Sequence, residues 1–153
     1  MVMELCSEGD VREMLETEGG PFTERECLSM GAQLIQGLEA LHVRNVVHGD
    51  LKPENVFASK VSDSTGVGAH YSYKIGDLGL AQHQDRIKFV EVGTPGFIAP
   101  EIRTGFYEYD IKADIWSLGM VPHTSLSPTF DTNSGPNQNS KTQTRLYWNV
   151  LWG

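Results

Sequence analysis

Four polar residues at two places in the chain could together bind a cation and a phosphate. Asp50, Lys52 and Asn55 are spaced by two and three residues in VVHGDLKPENVF (46–57), so one loop could direct all three into one cleft. Asp77 follows in IGDLGLA, where a predicted strand ends. Mg²⁺ prefers oxygen ligands and is often held by one or two carboxylates together with substrate phosphates. These residues therefore predict a hard-cation site able to hold a polyphosphate.

Each of these residues taken alone has a simpler interpretation. An isolated aspartate or asparagine in a loop is more often a turn former, because its side chain hydrogen-bonds the nearby backbone. His42, His70, His83 and His123 stand alone, and we expect them at the surface or in packing rather than as ligands. The cation site is therefore a hypothesis that depends on the elements and motifs around it.

The composition narrows the class of protein. A chain of 153 residues suits one modest domain. Twenty acidic and 12 basic residues give a formal net charge of −8, whereas a general nucleic-acid or membrane-surface binder would carry a basic face. Cys6 and Cys27 have no metal or disulfide spacing, and no leader or membrane-spanning run is recognisable. We expect no nucleic-acid or membrane partner and a cytoplasmic location, with the nucleus left open.

The elements that must position the polar residues begin with a strand and two helices. Residues 1–6 predict a short buried strand, and GDVREMLETEG (9–19) predicts a short helix. Thr23 and Glu26 match a capping box, in which two residues satisfy free amides at a helix start. The longer helix behind them should face a core with apolar side chains at three- and four-residue steps: Cys27, Met30, Leu34, Ile35, Leu38 and Leu41.

Two short strands, from NVFASK and YSYKIG, are predicted on either side of the turn-forming VSDSTGVGAH. A long loop then runs from Asp77 to GTPGFIAPE, and DIKADIWSLGM (110–120) predicts a helix. We expect this helix to end at Met120, because Pro122 has no amide proton and clashes with the preceding turn. Of the 33 residues from 121 to 153, 20 are Ser, Thr, Asn, Gln, Pro or Gly, which predicts a mostly disordered tail.

Four motifs in register resemble those of the eukaryotic protein kinase family, in its serine/threonine branch. HGDLKPEN resembles the catalytic loop, DLG the metal-binding triplet, GTPGFIAPE the end of the activation segment, and DIWSLG the start of a buried scaffold helix. MVMELCSEGD is similar to the hinge that carries adenine. The resemblance implies an α+β, protein-kinase-like fold over residues 1–120, as a largely helical C-terminal lobe with the N-terminal lobe missing, followed by the tail at 121–153.

The resemblance also implies a reaction, the transfer of the ATP γ-phosphate to serine or threonine hydroxyls of a protein substrate with Mg²⁺. Asp50 would accept or orient the proton of the attacking hydroxyl, and Lys52 would stabilise charge on the phosphoryl group. Thr94 would hydrogen-bond within the loop near both residues. Asn55 and Asp77 would hold Mg²⁺. A lysine two residues after the aspartate favours serine and threonine over tyrosine as acceptors.

A nucleotide site is implied along the hinge and the strand after the catalytic loop. Met3 would line the back of the adenine pocket, and the backbones of Glu4 and Cys6 would hydrogen-bond adenine. Asp10 would meet the ribose, and Phe57 would form the apolar floor of the pocket.

Further residues of the catalytic loop and its surroundings receive roles from the same resemblance. Lys52 and Glu54 are assigned to the nucleotide site as well. Glu54 could equally favour basic residues near the acceptor or form a salt bridge within the loop, and these alternatives stay open. His48 and Leu78 would pack as spine residues, and Asp114 would anchor the catalytic loop from below.

Gly49 departs from the family's usual pattern. The family often has an arginine at this position, where it pairs with a phosphate on the activation segment. Residues 80–93, LAQHQDRIKFVEVG, contain no serine, threonine or tyrosine. The phosphate receptor and the phosphate acceptor are absent together, so we predict that this segment is not switched by its own phosphorylation.

Three functions stay open for the chain. The family's glycine-rich loop, strand lysine and helix glutamate are not among the 153 residues, so we expect a serine/threonine kinase that is weakly active or inactive as this chain alone. The first alternative is a non-catalytic kinase-like interaction fragment. The second is an aminoglycoside- or choline-type phosphotransferase, which shares HGDxxxxN at residues 48–55 but lacks counterparts of GTPGFIAPE and DIWSLG.

Overall fold

The computed structural model describes residues 3–17, 20–62, 69–87, 93–103 and 110–127. The helices in this part of the chain are α1 (Val11–Thr17), α2 (Glu24–His42), α3 (Pro100–Arg103) and α4 (Ile111–Leu126). The strands are β1 (Val46–Val47), β2 (Val56–Ser62), β3 (Ala69–Ile75) and β4 (Gln82–His83). Single 3₁₀ turns occupy Pro53–Asn55, Leu78–Leu80 and Gln84–Arg86. The expected mixture of helices and strands is therefore present.

The capping box predicted at the start of α2 is confirmed. The Thr23 hydroxyl accepts a hydrogen bond from the Glu26 amide at 3.3 Å, and the Glu26 carboxylate accepts one from the Thr23 amide at 2.7 Å. Neither amide has a partner within the helix, so the two side chains satisfy them reciprocally. The helix therefore begins where the sequence predicts.

The apolar stripe predicted for α2 is confirmed with one exception. Its buried members are Cys27, Met30, Leu34 and Leu38, and Leu41 packs at the edge of the core. Ile35 is exposed instead of buried. It lies one residue, about 100°, around the helix from Leu34, and this rotation turns its side chain towards solvent.

The predicted strand pair after the catalytic loop is confirmed, because β2 and β3 pair antiparallel. Residues 63–68 between them lie outside the described part of the chain. The Gln33 side chain joins α2 to β3: its carbonyl accepts from the Tyr73 amide at 3.0 Å, and its amide donates to the Tyr71 carbonyl at 3.1 Å. A second antiparallel pair joins β4, in the segment that follows β3, to β1, which lies just before the loop that carries Asp50.

The strand predicted for residues 1–6 is wrong for residues 3–6, which form no strand. Leu5 is 90 % exposed instead of buried. Backbone pairing to β2 begins only later, where the Glu8 amide donates to the Ala58 carbonyl at 3.0 Å. A strand needs a neighbouring backbone for its amides and carbonyls. Residues 3–6 have no sheet partner within the part of the chain that the structure describes.

The prediction that Pro122 ends the last helix at Met120 is wrong, because α4 continues to Leu126. Proline inside a helix costs about 3 kcal/mol through the lost hydrogen bond and the steric clash. Here Pro122 is buried beside α2, and the Ser125 carbonyl accepts a hydrogen bond at 2.9 Å from the amide of Phe22, just before α2. Packing against α2 thus offsets the local cost. The predicted boundary at 120/121 falls inside α4, and residues 128–153 lie outside the described residues.

The main core lies between α2, α4 and the strand pair. Buried side chains that meet there are Met14, Leu34, Val56 and Val121. Leu51, from the loop between β1 and β2, is fully buried in the same core and anchors the loop that carries the predicted catalytic residues. No helix among the described residues is both long and apolar enough to cross a membrane.

Candidate active site

The loop between β1 and β2 is held by Asp114, in the first turn of α4. The Asp114 carboxylate is only 1 % exposed and accepts hydrogen bonds from the amides of His48 at 2.8 Å and Gly49 at 2.9 Å. Nε2 of His42 lies 2.8 Å from the same carboxylate. Burial of an unpaired carboxylate would be costly, so these donors are what allow it to be buried. The predicted contact between Asp114 and the loop is therefore present.

The fully buried His48 links this loop to the end of β3. Its Nδ1 lies 3.2 Å from the Asp50 amide nitrogen, and its Nε2 lies 2.9 Å from the Gly76 carbonyl oxygen. An amide can only donate and a carbonyl can only accept, so these partners assign the ring proton to Nε2. The ring thus joins the Asp50 loop to Gly76, the residue that precedes Asp77.

The three predicted catalytic residues, Asp50, Lys52 and Thr94, contact one another directly. The Thr94 hydroxyl donates to Asp50 Oδ1 at 2.7 Å and accepts from Lys52 Nζ at 2.8 Å. Lys52 Nζ also lies 3.0 Å from Asp50 Oδ2. The Asp50 and Lys52 side chains are 11 % and 21 % exposed, so their ion pair is partly shielded from water and stronger than a surface pair.

Asn55 ends the Pro53–Asn55 turn and is buried. Its Nδ2 donates to the Asp50 carbonyl at 2.7 Å and lies 3.3 Å from Asp50 Oδ2. Because the amide nitrogen faces Asp50, the amide oxygen Oδ1 points away from that residue. An asparagine that binds Mg²⁺ needs this orientation, since the oxygen is the ligand atom.

Asp77 lies just beyond β3 in the left-handed conformation, with φ of 52° and ψ of 74°. Aspartate tolerates this conformation better than most residues do. Its Oδ1 accepts a hydrogen bond from the Gly79 amide at 3.1 Å, and the residue is exposed. The Gly76 amide donates to the Asn55 carbonyl at 2.9 Å. The backbones that carry the two predicted metal ligands are therefore joined one residue before Asp77.

The candidate metal ligands of the site are few, so they suit a cation whose remaining ligands come from phosphate and water. Among the described residues, no group of three or more His, Cys, Asp and Glu side chains could hold a metal ion. The predicted pair of Asn55 and Asp77 supplies one amide oxygen and one carboxylate. Mg²⁺ is commonly bound in this way when phosphate oxygens and water complete its octahedron. The residues therefore fit Mg²⁺ that arrives with a triphosphate better than a cation held by the protein alone.

Comparison with known protein families matches residues 1–149 to the protein kinase domain. This chain belongs to the protein kinase family. The matched region extends past Met120, where the recognisable motifs end, and so includes all of α4.

The chain is similar to serine/threonine kinases from several animals. It is 35 % identical over 138 residues to the smooth-muscle myosin light chain kinase of Gallus gallus. This match covers 87 % of the present chain and 7 % of the chicken protein. It is 37 % identical over 128 residues to serine/threonine-protein kinase DCLK1 of Rattus norvegicus, covering 82 % and 28 %. It is 36 % identical over 138 residues to the probable serine/threonine-protein kinase zyg-1 of Caenorhabditis briggsae, covering 89 % and 18 %. The chain thus spans less than a third of the length of each of these relatives.

Two residues predicted to bind nucleotide, Asp10 and Phe57, lie side by side and are joined by an antiparallel bridge. Asp10 also caps α1, because its Oδ1 accepts a hydrogen bond from the Glu13 amide at 2.9 Å. The predicted ribose residue and the predicted adenine floor are therefore adjacent, with one carboxylate oxygen of Asp10 already bound to the helix.

The predicted hinge residues lie near solvent: Met3 and Glu4 are exposed, and Cys6 is half-buried. Both carboxylate oxygens of Glu4 lie 2.5 Å from Nζ of Lys74, and this hydrogen bond raises the pKa of Lys74. The predicted packing of Leu78 as a spine residue is wrong for the described residues, since this side chain is 55 % exposed. It lies on a surface 3₁₀ turn that no described element covers.

Glu54, which the sequence assigns to the nucleotide site, is exposed on the turn before Asn55.

Cys27 is a core residue of α2 and lies apart from the candidate site. Burial, with the nearby Glu26 carboxylate, raises the pKa of Cys27 to about 12. The Cys27 thiol is therefore protonated near neutral pH, as expected of a packing residue.

Two residues that support the site are not predicted by the sequence, His42 and Gly76. The sequence places His42 at the surface or in packing, whereas the structure pairs it with Asp114, 72 residues away. No local pattern could indicate such a distant partner. Gly76 is bonded through its amide to Asn55 and through its carbonyl to His48. Its one signal in the sequence is that a glycine follows a strand-forming run.

Proposed function

We propose that this protein kinase transfers the γ-phosphate of ATP to serine or threonine hydroxyls of protein substrates, with Mg²⁺ as the cation. The observation that carries this proposal is the direct contact among Asp50, Lys52 and Thr94. Asn55 donates through Nδ2 to the backbone carbonyl of the same aspartate. A proton acceptor, a cationic group and a metal-binding oxygen are thereby gathered in one cluster.

Asp50 is the proposed acceptor of the proton from the substrate hydroxyl. The Thr94 hydroxyl binds its Oδ1 and the Lys52 ammonium binds its Oδ2, so the carboxylate is restrained in one orientation. A carboxylate has about four acceptor positions, which leaves room for a substrate hydroxyl beside these partners. Lys52 Nζ lies 3.0 Å from Asp50 Oδ2, so a hydroxyl bound at Asp50 would have this positive charge nearby to stabilise negative charge on the phosphoryl group.

Asn55 and Asp77 are the proposed ligands of Mg²⁺, through Asn55 Oδ1 and the Asp77 carboxylate. Bound together, ATP and Mg²⁺ supply the transferable phosphoryl group and the positive charge that offsets its oxygens. The proposed nucleotide contacts are Met3, Glu4, Cys6, Asp10, Lys52, Glu54 and Phe57.

Two observations support serine and threonine residues of a protein as the acceptors. Lys52 follows Asp50 by two positions, which is typical of the serine/threonine branch of the family. The match to the protein kinase domain covers nearly the whole chain, which favours a protein acceptor over an aminoglycoside or choline. A cytoplasmic location stays part of this proposal.

Activity of this kinase is proposed not to require a phosphate within residues 80–93. Gly49 has a φ of 82°, a conformation that favours glycine, and its amide is bound by Asp114. The position that often carries a phosphate-binding arginine thus has a conformational reason to be glycine. Residues 80–93 offer no hydroxyl side chain to phosphorylate.

The 153-residue polypeptide is proposed to transfer phosphate weakly when tested by itself. Its sequence does not contain the glycine-rich loop and strand lysine that cover and bind the nucleotide phosphates in protein kinases. Phosphoryl transfer depends on positioning and charge stabilisation, so a chain without these two parts should be slow.

A second candidate function is that of a non-catalytic interaction fragment. It is favoured by large apolar side chains exposed around the hinge and the turn after Asp77: Met3, Leu5, Leu78 and Leu80. Contiguous exposed apolar side chains often mark an interface. Such a fragment would not need nucleotide, which distinguishes it from the first candidate.

A phosphate-transfer assay tests the proposed reaction. The purified chain is incubated with γ-labelled ATP, Mg²⁺ and either a serine- and threonine-rich protein or an aminoglycoside. We expect slow labelling of serine and threonine in the protein, above the level given by Asp50→Asn, which keeps the size of the side chain but cannot take the proton. Equal labelling by this variant would contradict the role of Asp50, and labelling of the aminoglycoside alone would contradict a protein acceptor. Rapid turnover that Asp77→Ala abolishes would contradict the weak activity proposed for this chain.

A further inference from the structure

Phe57 and Gly76 fit together so closely that position 76 has no room for a side chain. A Cβ built on Gly76 would lie 2.5 Å from Phe57 Cε2 and 2.6 Å from Phe57 Cδ2. Carbon atoms in favourable contact are about 3.5–4.0 Å apart, so both distances are deep in the repulsive range. The Phe57 ring therefore occupies the space in which a side chain at position 76 would stand.

The backbone at Gly76 cannot easily retreat from the ring. Its amide donates to the Asn55 carbonyl at 2.9 Å, and its carbonyl lies 2.9 Å from Nε2 of the buried His48. Displacement of the Gly76 backbone would break one or both of these hydrogen bonds. Gly76 is not among the glycines with positive φ, so its backbone conformation is open to any residue. Space, rather than conformation, is what requires glycine at this position.

The Phe57 ring is equally constrained from its own strand. Phe57 lies opposite Lys74 in the β2–β3 pair and opposite Asp10 in the isolated bridge, so its backbone is paired on both sides. Only rotation of the ring could make room for a larger residue at position 76. A ring turned away from its preferred rotamer is strained, and the Phe57 ring would then face a different direction.

We infer that Gly76 is a positioning residue that acts through Phe57 and thereby sets the shape of the surface on which the base of the nucleotide stacks. The inference deepens the proposed function and rests on it, because Phe57 is the proposed floor of the adenine pocket. Phe57 lies between Asp10, the proposed ribose contact, and Gly76, which precedes the proposed metal ligand Asp77. The ligand class is a flat aromatic base, for which the face of a phenyl ring supplies a stacking surface.

The test compares the parent with Gly76→Ala, Phe57→Val and the double variant. Valine keeps a strand-favouring apolar side chain but has no atoms beyond Cγ, so it removes both ring atoms that face Gly76. Gly31→Ala is the matched control, because the nearest atom to a Cβ at that position, Cγ of Pro122, is an ordinary 3.9 Å away.

Thermal unfolding without nucleotide measures the steric coupling itself. Overpacking by one methyl group should lower the melting temperature of Gly76→Ala by about 2–8 °C relative to the parent. In the Phe57→Val background the same change should have little effect, and Gly31→Ala should not lower the melting temperature. An equal loss from Gly76→Ala in both backgrounds would overturn the inference.

Ligand binding measures whether the coupling reaches the site. The folded proteins are titrated with Mg²⁺ and a non-hydrolysable ATP analogue, and separately with adenosine. Gly76→Ala should weaken both ligands by the same factor, roughly tenfold, since the base is what both share. Phe57→Val should remove this dependence on residue 76, which a purely structural role in folding would not predict.

The outcomes separate this inference from the proposed function. Weaker binding of the ATP analogue with unchanged binding of adenosine would overturn the inference, because the effect would then lie at the phosphates. If the parent binds neither ligand, the proposed nucleotide site fails and the base-stacking role falls with it. The unfolding comparison then decides by itself whether Phe57 and Gly76 act as one steric unit.

Discussion

Asp114 and Gly49, 65 residues apart in the sequence, are joined by a hydrogen bond of 2.9 Å from the Gly49 amide to the Asp114 carboxylate. The same carboxylate binds the His48 amide, and the His48 ring binds the carbonyl of Gly76. One buried carboxylate in α4 thereby fixes both the loop that carries Asp50 and, through His48, the end of β3. The candidate site is therefore tied to this scaffold helix by hydrogen bonds.

Asp114→Asn should destabilise the fold by about 1–3 kcal/mol, because one acceptor oxygen becomes an amide group and leaves a buried backbone donor unsatisfied. Urea unfolding followed by circular dichroism measures the loss. Asp110→Asn is the matched control: the half-buried Asp110 caps α4 by accepting from the Lys112 amide at 2.6 Å, and asparagine caps helices about as well. Equal losses in the two variants would contradict the anchoring role of Asp114.

Thr94→Ala should destabilise the chain by about 1–2 kcal/mol even when the protein carries no phosphate, because its hydroxyl bonds both Asp50 and Lys52. Thr94→Ser keeps the hydroxyl and should recover most of the loss. Chemical unfolding is measured on protein whose intact mass confirms that it is unphosphorylated. Unchanged stability of unphosphorylated Thr94→Ala would contradict this structural role of the hydroxyl.

His123 should make the stability of the fold depend on pH. It is buried in α4, and burial lowers its pKa below the ordinary value of about 6.5. Below that pH the unfolded chain binds a proton at His123 that the folded chain resists, so the free energy of unfolding falls as the pH drops towards the folded pKa. The contribution is fully present above about pH 6.5.

A comparison of the parent with His123→Gln, unfolded by urea from about pH 8 to about pH 5, measures this contribution. Carboxylates elsewhere titrate in both proteins, so their effect cancels in the difference. We expect a flatter pH dependence for the variant below about pH 6.5. Parallel curves in that range would contradict the assignment to His123.

Elements with local signals are those that the sequence predicts well. The start of α2 depends on Thr23 and Glu26, three residues apart, and both hydrogen bonds of the predicted capping box form. The end of α4 depends on contacts between Pro122 and a helix about ninety residues earlier in the chain. Proline inside a helix is locally unfavourable, so the helix end predicted from the sequence comes too early.

The candidate site divides along the same line. Asp50, Lys52 and Asn55 belong to one loop, and their spacing predicts that all three could point into one cleft. In the structure Lys52 and Asn55 both contact Asp50. The contact with Thr94 crosses more than forty residues, and only the resemblance to protein kinases indicated it. The steric match between Gly76 and its neighbour depends on the ring position in the folded strand pair, which no pattern of residue types reveals.

The most direct test of the account is thermal unfolding of the purified chain with ATP, in the presence and absence of Mg²⁺. A ligand that binds only the folded form raises the melting temperature. We predict a rise that requires Mg²⁺ and is lost in Asp77→Asn, which tolerates the left-handed backbone but lacks the charge that binds the cation. No rise in the parent, or a rise that persists without Mg²⁺ or in Asp77→Asn, would contradict the claim that Asn55 and Asp77 hold a magnesium-bound triphosphate.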